Sequence, residues 1–432
     1  MISPTPKLHS NKCYRQHKSH WHKAKRMSFL QMGEVFADII CIFVRYNRLT
    51  TVSIMVSQPK SRLVWVDVMR LVAMLMVIAG HSVDIYNATP QDDPMNGFWG
   101  AFIGSLMRPS VPLFAMMTGL LLLPVGESAS DFYRRRIPRV VFPMIFWSVI
   151  YYIIPPMTGV MGLDKSVVSI LYPFEFSPSQ DWGDALRNIV MIPLTFKGYT
   201  SHMWYLYMLV GLYLFMPFFS TWIEKNDRTL VRTYIILWGA SLMLPYLSQI
   251  LSHDLFGVCA WNPFGTFHYF AGFTGYLLLG YLLGRGNPLP SRKIVAVGFM
   301  LYFAGYVVTY TGFSAIIAQY SYEEAPDLIE MFWQFCSPNV VLMAIGMFLV
   351  IQRVKVRSER WQRVLQSTTR CSFGAYLMHY VFIGPVVIAL SPLGLPTPLC
   401  VVLTVAIVFA LCWGCTAAIY RIAPRIARYI VG

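Results

Sequence analysis

Arg70 and His81 are the ionisable side chains whose types and spacing point most directly to chemistry. They lie eleven residues apart in the largely apolar stretch Val64–Tyr86. At about 3.6 residues per turn, an α-helix places them on one stripe together with Asp67 and Asp84. Imidazole is the side chain best suited to take up a proton near neutral pH. His81 is therefore a candidate general base, and Asp84 is a candidate to orient its ring or to stabilise the imidazolium.

The composition places this stripe in a membrane protein. Hydrophobic residues make up 56% of the 432 residues and charged residues only 13%, whereas a water-soluble surface needs roughly a quarter charged residues. We predict an all-α polytopic transmembrane bundle of about ten spans in one integral domain over 55–432. The apolar windows, each near the roughly 20 residues that cross a bilayer, are 64–86, 98–124, 140–160, 203–222, 231–252, 264–284, 294–313, 333–352, 371–390 and 397–420.

Ionisable groups at membrane depth are costly, and they persist where they face a bundle interior or a wet cavity. Arg70 and His81 are therefore expected to face the inside of the bundle as functional groups. The alternative is that Arg70 extends to the inner boundary of the membrane and His81 is a hydrogen-bonded core residue. Spacing alone does not separate these two interpretations.

The positions of the basic residues predict the orientation of the chain. The net charge is +15, and most of the Lys and Arg residues follow the even-numbered windows or lie in the C-terminal tail. The connections after odd-numbered windows hold only Lys165, Arg187 and Lys197. By the positive-inside rule, both termini are predicted to be cytoplasmic. The basic residues then need no nucleic-acid partner.

The first 54 residues lie outside this scheme. Residues 1–26 are rich in Lys, Arg and His, and the apolar run 35–44 is too short to span a bilayer. The run also lacks the small-residue cleavage site of a signal peptide. We interpret 1–54 as a basic leader that is disordered or interfacial, or as translated sequence upstream of a true start at Met55.

The motifs of several soluble enzyme classes are missing from the sequence. No GxGxxG, GKS/T, GxSxG or HExxH pattern occurs in the context it requires, which disfavours nucleotide hydrolysis, soluble-type serine hydrolysis and zinc proteolysis. The eight cysteines are scattered. Cys412 and Cys415 have CxxC spacing but no second pair and no nearby His, so we predict no metal site.

A second candidate site lies in the basic segment 132–143. Arg136 and Arg139 are three residues apart, so on a helix they point the same way and could bind phosphate groups as guanidinium forks. The alternative is a topogenic cluster next to anionic lipid headgroups.

Further polar and aromatic residues lie in or at the ends of the predicted spans, namely Arg108, His202, Trp204, His268 and His379. A single histidine in a bundle is more often a packed, hydrogen-bonded residue than a catalyst. Arg108 lies among apolar residues and needs an acidic partner, for which Asp84, Asp92 and Asp93 are candidates.

Five motifs in the same order resemble those of the membrane-bound acyltransferase 3 family. The resemblance covers essentially 62–432 and looks closest to bacterial O-acetyltransferases that modify surface polysaccharides. Thr118 stands where many relatives have Ser. The motifs are Arg70 with His81 after ten intervening residues, the block from Arg108 to Gly119, Arg136 with Arg139, the run from His202 to Leu206, and the block from Ser372 to His379.

The resemblance implies an O-acyltransferase of the bacterial cytoplasmic (inner) membrane. Acetyl-coenzyme A is the implied acyl donor, as a substrate rather than a tightly bound cofactor, and the acceptor is a hydroxyl of a glycan or lipid-linked sugar. In the family the first-span histidine is the presumed catalytic residue, a role we carry to His81. Donor handling is carried to Arg70, Arg136 and Arg139.

Acyl transfer to a hydroxyl requires a base, so the chemistry of His81 agrees with the resemblance. His202, Trp204 and His268, at the predicted outer side, are candidates to bind the acceptor sugar by stacking and hydrogen bonds. Two other classes stay open: a secondary transporter with buried charges, and a non-catalytic membrane sensor of the same fold. The sequence leaves open the acceptor, the acyl chain, direct transfer versus an acyl-enzyme, and the oligomeric state.

Overall fold

The described part of the chain is built from α-helices and short 3-10 turns. The computed structural model describes residues 63–87, 94–173, 175, 177–225, 228–251, 255–284, 291–321 and 324–432. Within these ranges the extended pairing is limited to one isolated bridge, between Cys259 and Asn262. The predicted all-α membrane bundle is confirmed for these residues. The basic leader, Asp92 and Asp93 lie outside them.

The helices are numbered here in chain order. The bounds within the described residues are α1 Val64–Asn87, α2 Pro94–Met107, α3 Ser110–Leu122, α4 Ala129–Arg136, α5 Pro138–Val160, α6 Ser166–Leu171, α7 Trp182–Met191, α8 Trp204–Glu224, α9 Arg228–Ile250, α10 Thr274–Gly284, α11 Ser291–Ile317, α12 Pro326–Glu330, α13 Pro338–Ile351, α14 Glu359–Arg370, α15 Ser372–Leu390, α16 Thr397–Ile422 and α17 Ala427–Ile430. The 3-10 helices are Gly198–Met203, Leu255–Gly257, Gly265–Phe270 and Ser391–Leu393.

Eight helical stretches of the described residues are long and apolar enough to cross a membrane. The other two predicted windows, 264–284 and 333–352, contain the shorter apolar helices α10 and α13. Gly272, with φ of +90°, precedes α10, and Pro338 is the first residue of α13. In both windows the α-helix therefore begins several residues after the window does. The reason is that a positive φ interrupts helical geometry, and proline favours the start of a helix.

The second predicted span is interrupted at Arg108. Helix α2 ends at Met107, and α3 begins at Ser110. Pro109 lacks a backbone N–H and disfavours helical geometry in the residue before it, so the chain turns at this point. The break places the Arg108 side chain at a junction between two helices rather than along the side of one.

The described residues divide into two units. One holds α9 from Arg232 onward and the 3-10 turns up to Phe270. The other holds the described residues of 63–231 and 272–432. The larger unit holds α1 and most of the polar residues that the sequence singles out.

Helix α1 lies at the centre of the larger unit. It packs against α2, α3, α15 and α16, and its apolar residues Met69, Ala73, Met74 and Ile78 are fully buried. Burial on several sides explains why the helix is apolar nearly all round. Its few polar residues are thereby carried into the interior of the bundle.

Helices α3 and α10 cross at backbone contact. A Cβ atom on Gly119 would lie 2.0 Å from the carbonyl oxygen of Leu277, and one on Gly280 would lie 1.9 Å from that of Met116. No side chain fits at these distances, so both positions require glycine. Small residues that allow such close approach are a common device of membrane helix pairs.

Replacing Gly119 with Ala should push α3 away from α10 and destabilise the protein by about 1–3 kcal/mol, the typical range for overpacking. The measurement is the thermal midpoint of the detergent-purified protein by fluorescence-detected gel filtration. Gly211→Ala in α8 is the matched control, because a Cβ atom there would meet nothing within 4 Å. Equal midpoints for the two variants would contradict the close-packing explanation.

Candidate active site

His81 and Asp84 form a pair on one face of α1. Their closest approach is 3.4 Å, between Nδ1 of His81 and Oδ2 of Asp84, and the two side chains are 28% and 36% exposed. A carboxylate only accepts hydrogen bonds, so the contact favours the tautomer with a proton on Nδ1. Nε2 is then the basic nitrogen of the neutral ring. The spacing of three residues brings the pair together within a single helix.

A small cavity of about 70 Å³ lies beside this pair. Its polar and charged wall residues are His81, Asp84, Arg108, Ser110 and His202. This cavity is much smaller than two arginine-lined cavities of the same chain, which measure about 320 and 340 Å³. The remaining wall is formed by Met76, Val77, Gly80, Met107, Val111, Trp204, Tyr205, Phe335 and Tyr376.

Three imidazoles that are far apart in the sequence meet at the cavity. His81 and His202 line its wall, and His379 lies next to both. The His379 ring centroid lies 5.4 Å from that of His81 and 5.3 Å from that of His202. Tyr380 stacks on His202 at 4.6 Å. Among the described residues no set of three or more His, Cys, Asp or Glu side chains is arranged to hold a metal ion. The cluster is therefore available for hydrogen bonding and proton transfer.

His379 is fully buried and its tautomer is fixed by a neighbour. Its Nδ1 lies 2.7 Å from the carbonyl oxygen of Tyr376. A carbonyl accepts, so Nδ1 carries the proton and Nε2 is left as a lone-pair nitrogen. Within the part of the chain that the structure describes, Nε2 has no hydrogen-bond partner. A buried acceptor of this kind favours a hydrogen-bond donor next to it.

His202 is also buried, at 2% relative exposure, although its sequence position suggested a membrane interface. Neither ring nitrogen has a hydrogen-bond partner among the described residues. The 3-10 turn that carries His202 is held in place by Tyr376, whose hydroxyl donates to the His202 carbonyl, and by the 2.8 Å contact between Ser201 and Tyr380. On the cavity wall, the His202 ring can therefore bind a hydroxyl.

Arg108 lies on the same wall, held by the segment before α13. Its Nε donates to the carbonyl oxygen of Trp333 at 2.8 Å, and Nη2 lies 3.4 Å from Oε2 of Glu330. The guanidinium lies over the Trp333 ring at 4.5 Å and the Phe335 ring at 5.0 Å.

Of the three candidate partners of Arg108, Asp84 lies against His81 instead, and Glu330 supplies the carboxylate. The other two candidates, Asp92 and Asp93, lie outside the described residues. Glu330 closes an acidic run, 323–330, that is visible in the sequence. Hydropathy does not indicate that this run lies next to a residue more than 200 positions earlier in the chain. The sequence therefore did not predict the ion pair between Arg108 and Glu330.

Trp204 completes the aromatic part of the wall. Its ring stacks on Phe335 at 5.5 Å with 19° between the planes, and Phe335 in turn lies under the Arg108 guanidinium. His268 belongs to the other unit, where its exposed ring meets Tyr269 edge to face at 5.2 Å. A role for His268 in acceptor binding stays a prediction.

Arg70 lies toward the opposite end of α1. It pairs with Asp67 at 3.5 Å, and Asp67 also accepts a 3.3 Å hydrogen bond from Thr369. At about 1.5 Å per residue, Arg70 is about 16 Å from His81 along the helix axis. A cavity of about 320 Å³ between α1 and α14 adjoins Asp67 and includes Arg363 in its wall.

Arg136 and Arg139 lie on either side of the junction between α4 and α5 and have different surroundings. Arg139 is exposed in a cavity of about 340 Å³, which it lines with Arg135 and Arg428. Arg136 is partly buried, and its Nε has no hydrogen-bond partner in the described ranges. Arg428 was not singled out as a site residue, since the basic tail served only to predict orientation.

A family model described as an acyltransferase domain matches residues 63–417, which is most of the chain. No curated protein and no solved structure matches it. The matched range includes His81, Arg108, His202 and His379, so the whole cavity wall lies inside the family domain. The match agrees with the eight long apolar helices and with the imidazole beside a small cavity. The chain belongs to the acyltransferase 3 family and is a multi-pass membrane acyltransferase.

Proposed function

We propose that the protein transfers an acetyl group from acetyl-coenzyme A to a hydroxyl of a cell-surface glycan or lipid-linked sugar in the bacterial cytoplasmic membrane. The observation that carries this proposal is the pair of His81 and Asp84 on the wall of a 70 Å³ cavity. A general base held by a carboxylate is what hydroxyl acylation requires. The small volume favours a short acyl chain.

In the proposed reaction, Nε2 of His81 takes the proton of the acceptor hydroxyl as the oxygen attacks the thioester carbon. The new C–O bond gives a tetrahedral intermediate, which collapses by breaking the C–S bond. The imidazolium returns its proton to the leaving sulfur, so the products are the ester and the free thiol. Asp84 stabilises the imidazolium while it exists and holds the ring orientation.

The donor is proposed to enter from the cytoplasmic side. Coenzyme A carries several phosphates, and Arg139 with Arg135 and Arg428 lines a cavity large enough for a phosphate-bearing group. The positive-inside rule favours a cytoplasmic location for these arginines. The pantetheine arm of the donor then has to carry the thioester to His81, which lies about 16 Å beyond Arg70 along α1.

The acceptor is proposed to reach the cavity from the outer side. The His202 ring nitrogens, which lack partners among the described residues, suit a hydroxyl. Trp204 offers an aromatic face for a sugar ring. A role of His268 in acceptor binding is proposed from its sequence position alone.

The direct test measures thiol release from acetyl-coenzyme A by the purified protein in detergent, with and without a surface-glycan extract. Acceptor-dependent release would support the proposal, and its absence would favour the transporter or sensor alternatives. Mass spectrometry of surface glycans from cells with and without the gene identifies the acetylated sugar.

His81→Ala should leave a folded, membrane-inserted protein and lower transfer by about 100-fold or more, because a general base contributes about 10² to 10⁴. Acetyl transfer and the gel-filtration profile are measured together. His81→Gln keeps hydrogen bonding without basicity and should be equally inactive. Turnover near the wild-type rate in well-folded His81→Ala would refute the assignment.

Arg136→Gln with Arg139→Gln should weaken donor affinity about tenfold or more, the effect of losing a charge-assisted hydrogen bond. Affinity is measured by titration with coenzyme A. Arg134→Gln is the matched control, because Arg134 is exposed and does not line the cavity. Unchanged affinity in the double variant, or inverted topology in a cysteine-accessibility assay, would favour a purely topogenic cluster.

Trp204→Ala and His268→Ala should reduce transfer to the glycan extract more than donor hydrolysis in its absence. The reason is that both residues are proposed to contact the acceptor and not the thioester. Trp413→Ala is the control, because it removes an exposed tryptophan ring on α16 that does not line the cavity. Equal loss of both activities would indicate a folding defect or a donor-side role.

A further inference from the structure

Arg108 is the charged residue of the cavity that the reaction above does not use. We propose that its guanidinium is a catalytic group, which binds the acyl carbonyl oxygen and stabilises the oxyanion of the tetrahedral intermediate. This inference rests on the proposed acyl transfer. It assigns an electrophilic partner to the base His81 on the wall of the same cavity.

The contacts of Arg108 leave one end of the guanidinium for a ligand. Nε is used by the Trp333 carbonyl and Nη2 by Glu330. Among the described residues, the hydrogen bonds of this guanidinium are these two, and neither involves Nη1. A guanidinium has five N–H donors in a fixed plane, so fixing two nitrogens also fixes the direction of the third. The donors of Nη1 are in this way oriented before any substrate arrives.

The surroundings of Arg108 strengthen a hydrogen bond from Nη1 to a ligand. The side chain is only 18% exposed, and Trp333 and Phe335 lie against the guanidinium. Charge interactions grow as the local dielectric falls, and fixed donors in a water-poor site are worth more than mobile ones. Glu330 is 34% exposed and 3.4 Å away. It balances the charge in the resting state without occupying Nη1.

The size of the cavity brings the two groups within reach of one substrate. The cavity is small, about 70 Å³, and both His81 and Arg108 form its wall. An acetyl carbonyl beside a hydroxyl that is bonded to His81 therefore has Arg108 as a neighbour. Among the described residues of the cavity wall, Arg108 is the permanently charged cation.

The proposed step balances without an added reactant. As the hydroxyl oxygen forms the C–O bond and His81 takes its proton, the carbonyl electron pair moves to oxygen, where Nη1 donates hydrogen bonds. No proton leaves the guanidinium. The electron pair then returns to re-form the carbonyl, the C–S bond breaks, and the proton on His81 passes to sulfur.

Two other roles for Arg108 make different predictions. A purely structural brace between the break after α2 and the segment before α13 would affect stability and all activities together. An anion-binding role toward an acidic acceptor would affect only the KM of that acceptor. The oxyanion role affects kcat with every nucleophile.

The experiment uses acetyl-coenzyme A as donor and two nucleophiles of known identity, water and hydroxylamine, so the natural acceptor is not needed. Thiol release and hydroxamate formation are measured for wild type, Arg108→Gln and His81→Ala. Hydroxylamine attacks thioesters without a strong base, so His81→Ala should retain much more hydroxamate formation than glycan transfer. Arg108→Gln should lose kcat by about 100-fold or more with both nucleophiles, the typical loss of one oxyanion donor, while the KM for the donor changes little.

Arg187→Gln, an exposed arginine of α7, is the matched control and should keep wild-type kinetics. If Arg108→Gln folds poorly, Arg108→Ala with millimolar guanidinium chloride provides the second test, because the free cation should restore part of kcat. A loss confined to KM, a kcat near wild type, or an Arg108→Ala protein that is folded but not rescued would overturn the assignment. An inactive wild type with both nucleophiles and with the glycan extract would instead overturn the proposed acyl transfer itself.

Discussion

The burial of α1 among four other helices is the constraint on which the rest of the structure depends. A charged group at membrane depth is tolerated when it is paired or faces a cavity. Two polar pairs of α1 are formed inside the helix, Asp67 with Arg70 and His81 with Asp84. Each carboxylate therefore has a partner as soon as the helix forms. The surrounding helices then add packing contacts and a few hydrogen bonds, such as the one that Thr369 donates to Asp67.

Features that depend on one helix were predictable from the sequence. The class of fold follows from composition, and the pairing of His81 with Asp84 follows from a spacing of three residues. Features that depend on distant segments were not. Glu330 reaches Arg108 across 222 residues, and His202, His379 and Tyr380 meet from different elements. Hydropathy assigns all of these residues to spans or their edges but carries no information on which spans are neighbours.

Helix lengths also differ from the apolar windows for local reasons. An apolar window shows where the sequence is hydrophobic. A helix, in contrast, ends where a proline or a glycine with positive φ interrupts the helical backbone. Pro109 divides one window into α2 and α3, and Gly272 and Pro338 shorten two others to α10 and α13. The close crossing of Gly119 with α10 shows one use of a short helix. The same breaks have a chemical consequence, since Arg108 lies at the first of them and is held by the segment before α13.

The two ends of α1 differ in a way that bears on how a large donor meets a small site. Cavities of about 320 and 340 Å³, both with arginine in their walls, lie beside Asp67 and at the start of α5. The cavity at His81 measures about 70 Å³. Under the proposed function, the two larger cavities suit the nucleotide part of the donor, and the smaller one suits its acyl end. In that proposal His81 acts as the base, Arg108 binds the oxyanion and His202 binds the hydroxyl, and all three side chains line this one small cavity. The three groups come from α1, from the break between α2 and α3, and from the 3-10 turn before α8, so the reaction would depend on the packing that brings these segments together.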